Sequence, residues 1–271
     1  MAVTASNRFL NSIVGQMQVG SDVDIHETNS TPKFALGTGF TRQDGNKFRY
    51  VHAGADVDIA RLVATDVSES CLTSKTNVVI NPTSAVAIDN TNIDAGAVGS
   101  TYIQATITAT ANQFAGGYLH LDGNGGAGAG AIYRIKGNTA TDDPASGDCR
   151  LELYEKIKVA VDQTTDIAIT GSPYANVEGA TSSTDEMAVG VSVVGISNNN
   201  YGWVCTHGVA TVIADGNTNQ FDQLTPAGRA GRVLPIINPT SAAFQLDLKP
   251  VGYATTAIAA GSYGGAMITI E

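Results

Sequence analysis

Histidine and cysteine are the residues of this chain with the widest chemical use, and both are few and widely spaced. They are His26, His52, His120, His207, Cys71, Cys149 and Cys205. Metal sites and metalloprotease helices need two such ligands a few residues apart, as in HxH, HExxH or CxxC. None of these spacings occurs in the sequence. The sequence therefore predicts no metal centre, no disulfide framework and no cofactor.

A glycine-rich stretch at residues 122–130, DGNGGAGAG, invites comparison with phosphate-binding and calcium-binding loops. A P-loop ends in Lys followed by Ser or Thr, and this stretch does not. A calcium loop needs a bidentate Glu at its twelfth position, where this chain has Tyr133. The stretch is therefore predicted to be a hairpin connection. A single oxygen-ligated cation on Asp122, Asp142 or Asp143 stays open as an alternative.

Signatures of nucleophilic and acid–base catalysis are also missing. The nearest approach to a GxSxG nucleophile motif, residues 190–195 (GVSVVG), is one residue too long and lies in an apolar alternation. The acidic pairs Asp22/Asp24 and Asp56/Asp58 could serve glycoside hydrolysis only if the fold placed two carboxylates at the required separation. We expect them to be exposed turn charges. The sequence predicts no catalytic residue and no enzyme.

Composition narrows the class of protein. The chain has 271 residues, of which 43% are hydrophobic and 15% charged, with a net charge of −10 and 30 glycines. Few charges and many glycines favour short strands joined by tight turns over long solvated helices. The acidic balance and the lack of a Lys/Arg cluster argue against nucleic-acid binding. No apolar run is long enough for a membrane span, and the first residues do not have the pattern of a signal peptide.

Two stretches of the chain present the same landmarks in the same order. These landmarks are FRYV at 48–51 and YGWV at 201–204, INPTSA at 80–85 and 237–242, and Gly-Ser at 99–100 and 261–262. In both stretches an apolar alternation follows the Gly-Ser pair. The echo predicts a duplicated β-module.

The second copy begins with the longest strand pattern in the chain, residues 201–216. One predicted face contains Trp203, Cys205, His207, Val209, Thr211 and Ile213, and the other contains Val204, Ala210, Val212 and Ala214. Since both faces include apolar residues, we expect a central strand with Trp203 in the core. The alternative is that this single Trp stacks on a sugar or anchors a partner.

The N-terminal residues contain the clearest helical pattern. Phe9, Leu10, Ile13 and Val14 recur at helical spacing, followed by Met17. This helix could pack on its own domain or dock on a neighbouring subunit. We take these first four residues as candidate partner contacts.

The predicted fold class is all-β, with two related small β-barrel or β-sandwich modules, an inserted β-rich subdomain and a short N-terminal helix or arm. The predicted boundaries are an arm at 1–32, a first module at 33–110, an insert at 111–180 and a second module at 181–271.

Several phrases of the sequence are similar to one known family. They are DGNKFRYVHAGADVDIARLV, FAGGYLHLDGNGGAG with YRIKGN, LELYEKIKVAV, YGWVCTHGVATVIADG and PVGYAT with MITIE. They resemble the capsid decoration (cement) proteins of tailed bacteriophages, especially marine and cyanobacterial-phage types. The resemblance covers most of residues 33–271 and is weakest in the arm.

This resemblance implies a virion structural protein without catalytic residues. It implies a homotrimer on the outer capsid surface that binds the major capsid protein and stabilises the head, assembled in the host cytoplasm. It implies neither a nucleic-acid nor a membrane partner.

Three other functions remain as alternatives. A carbohydrate-binding head-fibre or adhesin module would have exposed aromatic residues, such as Tyr118, Tyr174 or Tyr201. A tail structural protein would form rings or tubes. A polysaccharide depolymerase would need a carboxylate pair that only a structure could reveal.

Overall fold

The computed structural model describes residues 16–17, 23–66, 72–75, 97–105, 107–121, 128–141, 149–159, 161, 167–181, 186–236 and 250–271. Within these residues the regular elements are strands and there is no helix, which confirms the all-β prediction. The strands are β1 (Gln16–Met17), β2 (Gly39–Thr41), β3 (Lys47–His52), β4 (Leu62–Asp66), β5 (Leu72–Lys75), β6 (Tyr102–Ala105), β7 (Tyr118–Leu121), β8 (Ile132–Asn138), β9 (Cys149–Leu153), β10 (Ile167–Thr170), β11 (Val177–Gly179), β12 (Glu186–Ser192), β13 (Tyr201–Ile213), β14 (Gln223–Pro226), β15 (Val233–Pro235), β16 (Gly252–Ala254) and β17 (Tyr263–Thr269).

The chain divides into two compact units. The first unit combines Met1–Val67 with Pro173–Glu271, and the second is the intervening segment Ser68–Ser172. Over the described residues, eleven strands form the sheet of the first unit and six form the sheet of the second. Along the chain, the second unit is an insertion within the first.

This division differs from the predicted boundaries at 33–110, 111–180 and 181–271. β3 and β4 belong to the predicted first module, yet they pair with β13 and β12 of the predicted second module. β5 and β6, also from the predicted first module, join the sheet of the second unit. Strands that follow one another in sequence are neighbours in only about two-thirds of cases, so sequence order is a weak guide to sheet membership.

The sheet of the second unit has the order β5-β10-β7-β8-β9-β6, and its strand pairs are antiparallel. β7 and β8 flank the glycine-rich stretch as predicted, with Tyr118 opposite Arg134. In β9 buried and partly exposed residues alternate, and the strand ends at Leu153. The inward side chains of these strands, with Phe114 and Ile157, form one buried cluster.

The sheet of the first unit follows the path β1-β2-β3-β13-β17-β16-β14-β15, and β4, β11 and β12 pair to one side of this path. Two clusters of buried side chains pack against this sheet. Phe48 and Tyr50 of β3 belong to the larger cluster, and Val51 belongs to the smaller one. β3 therefore contributes side chains from its two faces to two different cores.

Four eight-residue segments of the first unit have the same local structure, which we call an arch. The arches are residues 53–60, 192–199, 214–221 and 254–261, and each begins at the end of one strand and stops two residues before the next. The last residue of every arch has a positive φ: Ala60 (62°), Asn199 (61°), Phe221 (69°) and Gly261 (76°). A shared backbone conformation thus underlies four dissimilar sequences.

The arches pair two by two, and each pair is called a clasp. In the first clasp, Val57 and Ile196 exchange backbone hydrogen bonds of 2.9 and 2.8 Å. In the second clasp, Thr218 and Ile258 exchange two of 2.9 Å. In addition, the last residue of each arch donates its N–H to the carbonyl of the first residue of the partner arch, at 2.8–3.0 Å. Each clasp therefore has internal two-fold symmetry in its hydrogen bonds.

The strands around the two clasps are duplicated as well. β3 and β4 pair with β13 and β12 around the first clasp, as β13 and β14 pair with β17 and β16 around the second. β11 pairs with β4 as β15 pairs with β14. β13 is common to both halves, as the closing strand of the first and the opening strand of the second.

The strands that are equivalent in the duplicated structure are not the ones that the repeated sequence landmarks predict to be equivalent. FRYV at 48–51 and YGWV at 201–204 are neighbouring strands of one clasp, with Tyr50 opposite Trp203. In the duplicated architecture, the start of β13 is instead equivalent to β17, because each is the closing strand of its half. The INPTSA segments lie outside the described residues.

β13 changes the face that it presents to the larger cluster partway along its length. Trp203 and Cys205 belong to this cluster before the change, and Ala210 belongs to it afterwards. The pairing with β3 shifts between Cys205 and His207, and Gly208 has a φ of 101°. Such a β-bulge exchanges the two faces of a strand, so the predicted face shared by all odd-numbered positions is wrong.

The predicted N-terminal helix lies almost wholly outside the described residues, including Phe9, Leu10, Ile13 and Val14. Met17 ends the same pattern and is in β1, which pairs in parallel with β2.

Candidate docking face

The second half of the first unit has one sheet face whose outward side chains are uncharged beyond His207, which lies at one end, opposite Thr269 and Lys47. The other outward positions of β13, β14, β16 and β17 are Val209, Thr211, Gln223, Thr225, Tyr253, Tyr263, Gly265, Met267 and Thr269. We call this surface the uncharged face. The surface of a small soluble domain is typically about 25–35% charged, so a charge-free face on a chain of net charge −10 is unusual.

Three large apolar side chains form a row across this face. Val209 lies opposite Met267, and Met267 lies opposite Tyr253 on the next strand. Their exposed fractions are 56%, 39% and 45%. Contiguous exposed apolar side chains of this kind mark sites of association more often than isolated ones do.

The face rests on a packed interior. Beside the exposed row, Ala210, Ala266 and Ala254 lie opposite one another and are buried in the larger cluster. The row is therefore on paired strands with a solid core beneath them. A rigid surface of this kind loses little conformational entropy when a partner binds.

A side-chain amide holds β13 in place at the edge of the row. Nδ2 of Asn46 donates to the carbonyl of Val209 at 3.3 Å, and the N–H of Val209 donates to Oδ1 of Asn46 at 3.0 Å. A Cβ on Gly208 would lie 1.9 Å from that Oδ1. Glycine is therefore required where the bulge brings β13 against the hairpin between β2 and β3.

An ion pair lies near the end of the face. Arg49 donates from Nε to the Glu271 carboxylate at 2.8 Å, and its Nη1 donates to the carbonyl of Gly37 at 2.9 Å. Burial raises the pKa of Glu271, but hydrogen bonds from Arg49 and Thr206 outweigh it, so the pKa is lowered overall. An apolar centre with charge at its edge is the usual layout of a protein–protein interface.

Trp203 is a core residue, as predicted. It is 2% exposed and its ring packs against Phe34, Phe40 and Tyr50 at centroid distances of 5.3, 6.1 and 5.1 Å. It therefore stabilises the first unit from within and does not touch a ligand.

The tyrosines that would suit a sugar-binding module differ in exposure. Tyr118 is 40% exposed in the second unit. Tyr201 is partly buried and stacks on Tyr50 at 5.9 Å, and Tyr174 is partly buried near Arg49. Of these three, only Tyr118 offers an open ring.

Three of the histidines and two of the cysteines have structural contacts, and Cys71 lies outside the described residues. Ring nitrogens of His52, His120 and His207 bond to the side chains of Asn176 and Thr170 and to the carbonyl of Glu271, respectively. Burial lowers the pKa of His52 and raises that of Cys205 to about 11. Cys149 and Cys205 are unpaired and buried. The described residues contain no group of three or more His, Cys, Asp or Glu placed to hold a metal ion.

Of the carboxylates considered for catalysis, Asp56 and Asp58 have contacts in the first clasp, and Asp24 accepts the N–H of His26 at 2.9 Å. Asp56 accepts the N–H of Asn198 at 2.8 Å, and Asp58 lies 3.3 Å from Arg61. Asp22, Asp122, Asp142 and Asp143 lie outside the described residues.

Sequence reasoning missed the uncharged face. Its residues come from four strands that are separated in sequence, and the bulge reverses the expected orientation of Val209. The one available signal was the run of β-branched and small residues from Val209 to Ile213.

No family model, curated protein or solved structure matches this chain. In the described part of the chain, no helix has the length and apolar character needed to cross a membrane.

Proposed function

We propose that this chain is a structural protein of a bacteriophage head. It binds the outer surface of the major capsid protein lattice and stabilises the shell without catalysis. The main support is the exposed row formed by Val209, Met267 and Tyr253 at the centre of the uncharged face. The sequence phrases that resemble capsid decoration proteins support the same function.

The physical basis of the stabilisation is burial of this row. Covering apolar surface contributes roughly 25 cal/mol per Å². A protein that binds only the assembled shell stabilises it by mass action, in proportion to its free concentration relative to its dissociation constant. The stabilising free energies of many copies on a symmetric lattice then add up. A homotrimer is the expected form of the binding protein, and sedimentation would measure it.

The first test is the copy number of this chain in purified particles of the source phage, by quantitative mass spectrometry against the major capsid protein. A ratio near one, or a simple lattice fraction of it, is the expected result. A handful of copies per particle would instead indicate a fibre or tail component.

A second test locates the contact. Met267→Glu places a charge at the centre of the row and should weaken binding to capsids at least about tenfold, since a buried unpaired charge costs more than 1.4 kcal/mol. Ile59→Glu is the matched control, because Ile59 is 53% exposed and lies in an arch away from this face. Equal binding by both variants would show that the face is not the contact.

The N-terminal residues Phe9, Leu10, Ile13 and Val14 remain predicted partner contacts. Deletion of residues 1–20 should weaken either trimer formation or capsid binding. If both are unchanged, the arm has no part in the interface.

A further inference from the structure

A second exposed surface, in the second unit, combines aromatic and cationic side chains. Tyr118 of β7 lies directly opposite Arg134 of β8. The guanidinium carbon of Arg134 lies 5.0 Å from the ring centroid of Tyr154, just after β9. Tyr118 and Tyr154 are 40% and 47% exposed. We call these three residues, with the neighbouring exposed Ile132, the Tyr–Arg face.

The sheet beneath orients this surface. Leu119, Tyr133 and Ile135 alternate with the Tyr–Arg face and are buried in the core of the second unit. On the same sheet, the guanidinium carbon of Arg150 lies 4.2 Å from the ring centroid of Tyr102. Guanidinium groups stacked on rings are held flat and lose less freedom on binding a ligand.

The charge around the Tyr–Arg face has the opposite sign to the charge of the whole chain. Residues 132–138 and 149–159 contain five Lys or Arg and two Glu, a local net charge of +3, whereas the chain has −10. This surface therefore suits an anionic ligand.

The acidic chain as a whole disfavours nucleic acid, which has one charge per roughly 1.7 Å of duplex. An acidic polysaccharide has its charges a whole sugar or more apart, so the repulsion from the rest of the chain is weaker. Tyrosine rings suit sugars, because the polarised C–H groups of a pyranose can face the negative π-surface of the ring. A planar guanidinium can donate two parallel hydrogen bonds to one carboxylate.

We propose that the Tyr–Arg face binds an acidic polysaccharide. Sugar rings lie against Tyr118 and Tyr154, and Arg134 pairs with a uronate carboxylate between them. This inference concerns the second unit and does not depend on capsid binding by the uncharged face.

The test uses the full chain and sodium alginate, a polymer of uronic acids, in affinity electrophoresis, with dextran as the neutral polymer. We expect alginate and not dextran to retard the protein. Tyr118→Ala, Tyr154→Ala and Arg134→Gln should each weaken retardation about tenfold, the loss of one anchoring contact. Arg134→Lys keeps the charge but loses the planar pair of N–H donors, so its effect on retardation should be intermediate.

Tyr263→Ala is the matched control, because Tyr263 is 57% exposed in the first unit, and it should bind alginate like the unmodified protein. Circular dichroism shows whether each variant is folded, and Tyr154→Phe, which keeps the ring, should retain binding if the alanine variant unfolds. Three results would overturn the proposal: no retardation by alginate, equal retardation of all variants, or tighter binding of an oligothymidine than of alginate.

Discussion

Gly208 leaves room for the side chain of Asn46, which is hydrogen-bonded to Val209. Replacing Gly208 with alanine therefore tests whether this contact holds the bulge of β13 in place. A methyl group at this position meets two obstacles. The φ of 101° is outside the range that L-residues favour, and the Cβ would lie 1.9 Å from Oδ1 of Asn46. The asparagine side chain must therefore move and release both of its hydrogen bonds to Val209.

The expected cost follows from these contacts. The backbone conformation contributes roughly 1–2 kcal/mol. Loss of two hydrogen bonds, each with a net value of about 1 kcal/mol, raises the total for Gly208→Ala to about 3–4 kcal/mol. Asn46→Ala alone should cost about 2 kcal/mol for the same two bonds. The double variant should cost no more than Gly208→Ala, since those bonds can be lost only once.

The assay is urea unfolding followed by tryptophan fluorescence. Trp203 is the single tryptophan and is buried in the first unit, so its emission reports on the unit that contains the substitutions. Gly45→Ala is a control for positive φ without a clash, because Gly45 has a φ of 86° and no atom within 4 Å of the Cβ position. It should cost roughly 1–2 kcal/mol. If the Gly208 and Asn46 variants are strictly additive, the proposed contact does not hold β13.

Three further predictions concern the first unit. Glu271→Gln should lower the stability at neutral pH by up to about 1 kcal/mol, because the carboxylate is stabilised by Arg49. Because the folded-state pKa of Glu271 is lowered, its contribution is present above the unfolded-state pKa and disappears as the pH falls through the folded-state pKa, so urea titrations of the two proteins should converge in acid. Burial raises the pKa of Cys205 to about 11, so in a Cys71→Ser, Cys149→Ser variant this thiol should not react with Ellman's reagent at pH 8 until urea is added; rapid reaction of the folded variant would contradict the burial of Cys205. Phe221→Asn should raise the free energy of unfolding by up to about 1 kcal/mol, because Phe221 is 74% exposed with a φ of 69° and asparagine tolerates that conformation. The reverse change at the equivalent position, Asn199→Phe, should lower it, and equal effects at both positions would show that φ is not the cause.

Local signals in the sequence predicted local structure well. Asp44-Gly45-Asn46 predicts a hairpin turn, and the structure pairs Thr41 of β2 with Lys47 of β3 around it. The aromatic alternation of β3 and the burial of Trp203 also agree with the pattern. In each case the residues that decide the outcome are close in sequence.

The arches were not predictable from composition, because their common feature is a backbone angle. Ala60 and Phe221 adopt it although neither residue type favours a positive φ. Hydrogen bonds to the partner arch hold them there, and those bonds join segments far apart in sequence. Only a comparison of three-dimensional structure shows that these segments are equivalent.

The uncharged face depends on the same kind of long-range information. Its strands are separated in sequence, and the orientation of Val209 is set by a bulge, which a strict two-residue alternation does not predict. The predicted partner contacts Phe9, Leu10, Ile13 and Val14 lie outside the described residues and stay a prediction. The Tyr–Arg face could not be inferred from the sequence, since Tyr118 was only one of three tyrosines considered for a sugar-binding module and its pairing with Arg134 depends on the register of β7 and β8.

The position of β13 in both halves of the first unit bears on how such a sheet can be lengthened. The first half uses β3, β4, β11, β12 and β13, whereas the second adds only β14, β15, β16 and β17 because it begins on a strand already present. A third repeat of the same kind could begin on β17 and would again need only four additional strands. Neither half can be excised intact, since removal of one deprives the other of a strand. A sheet lengthened in this way consists of repeats that share strands, whereas a tandem duplication gives domains that can be separated.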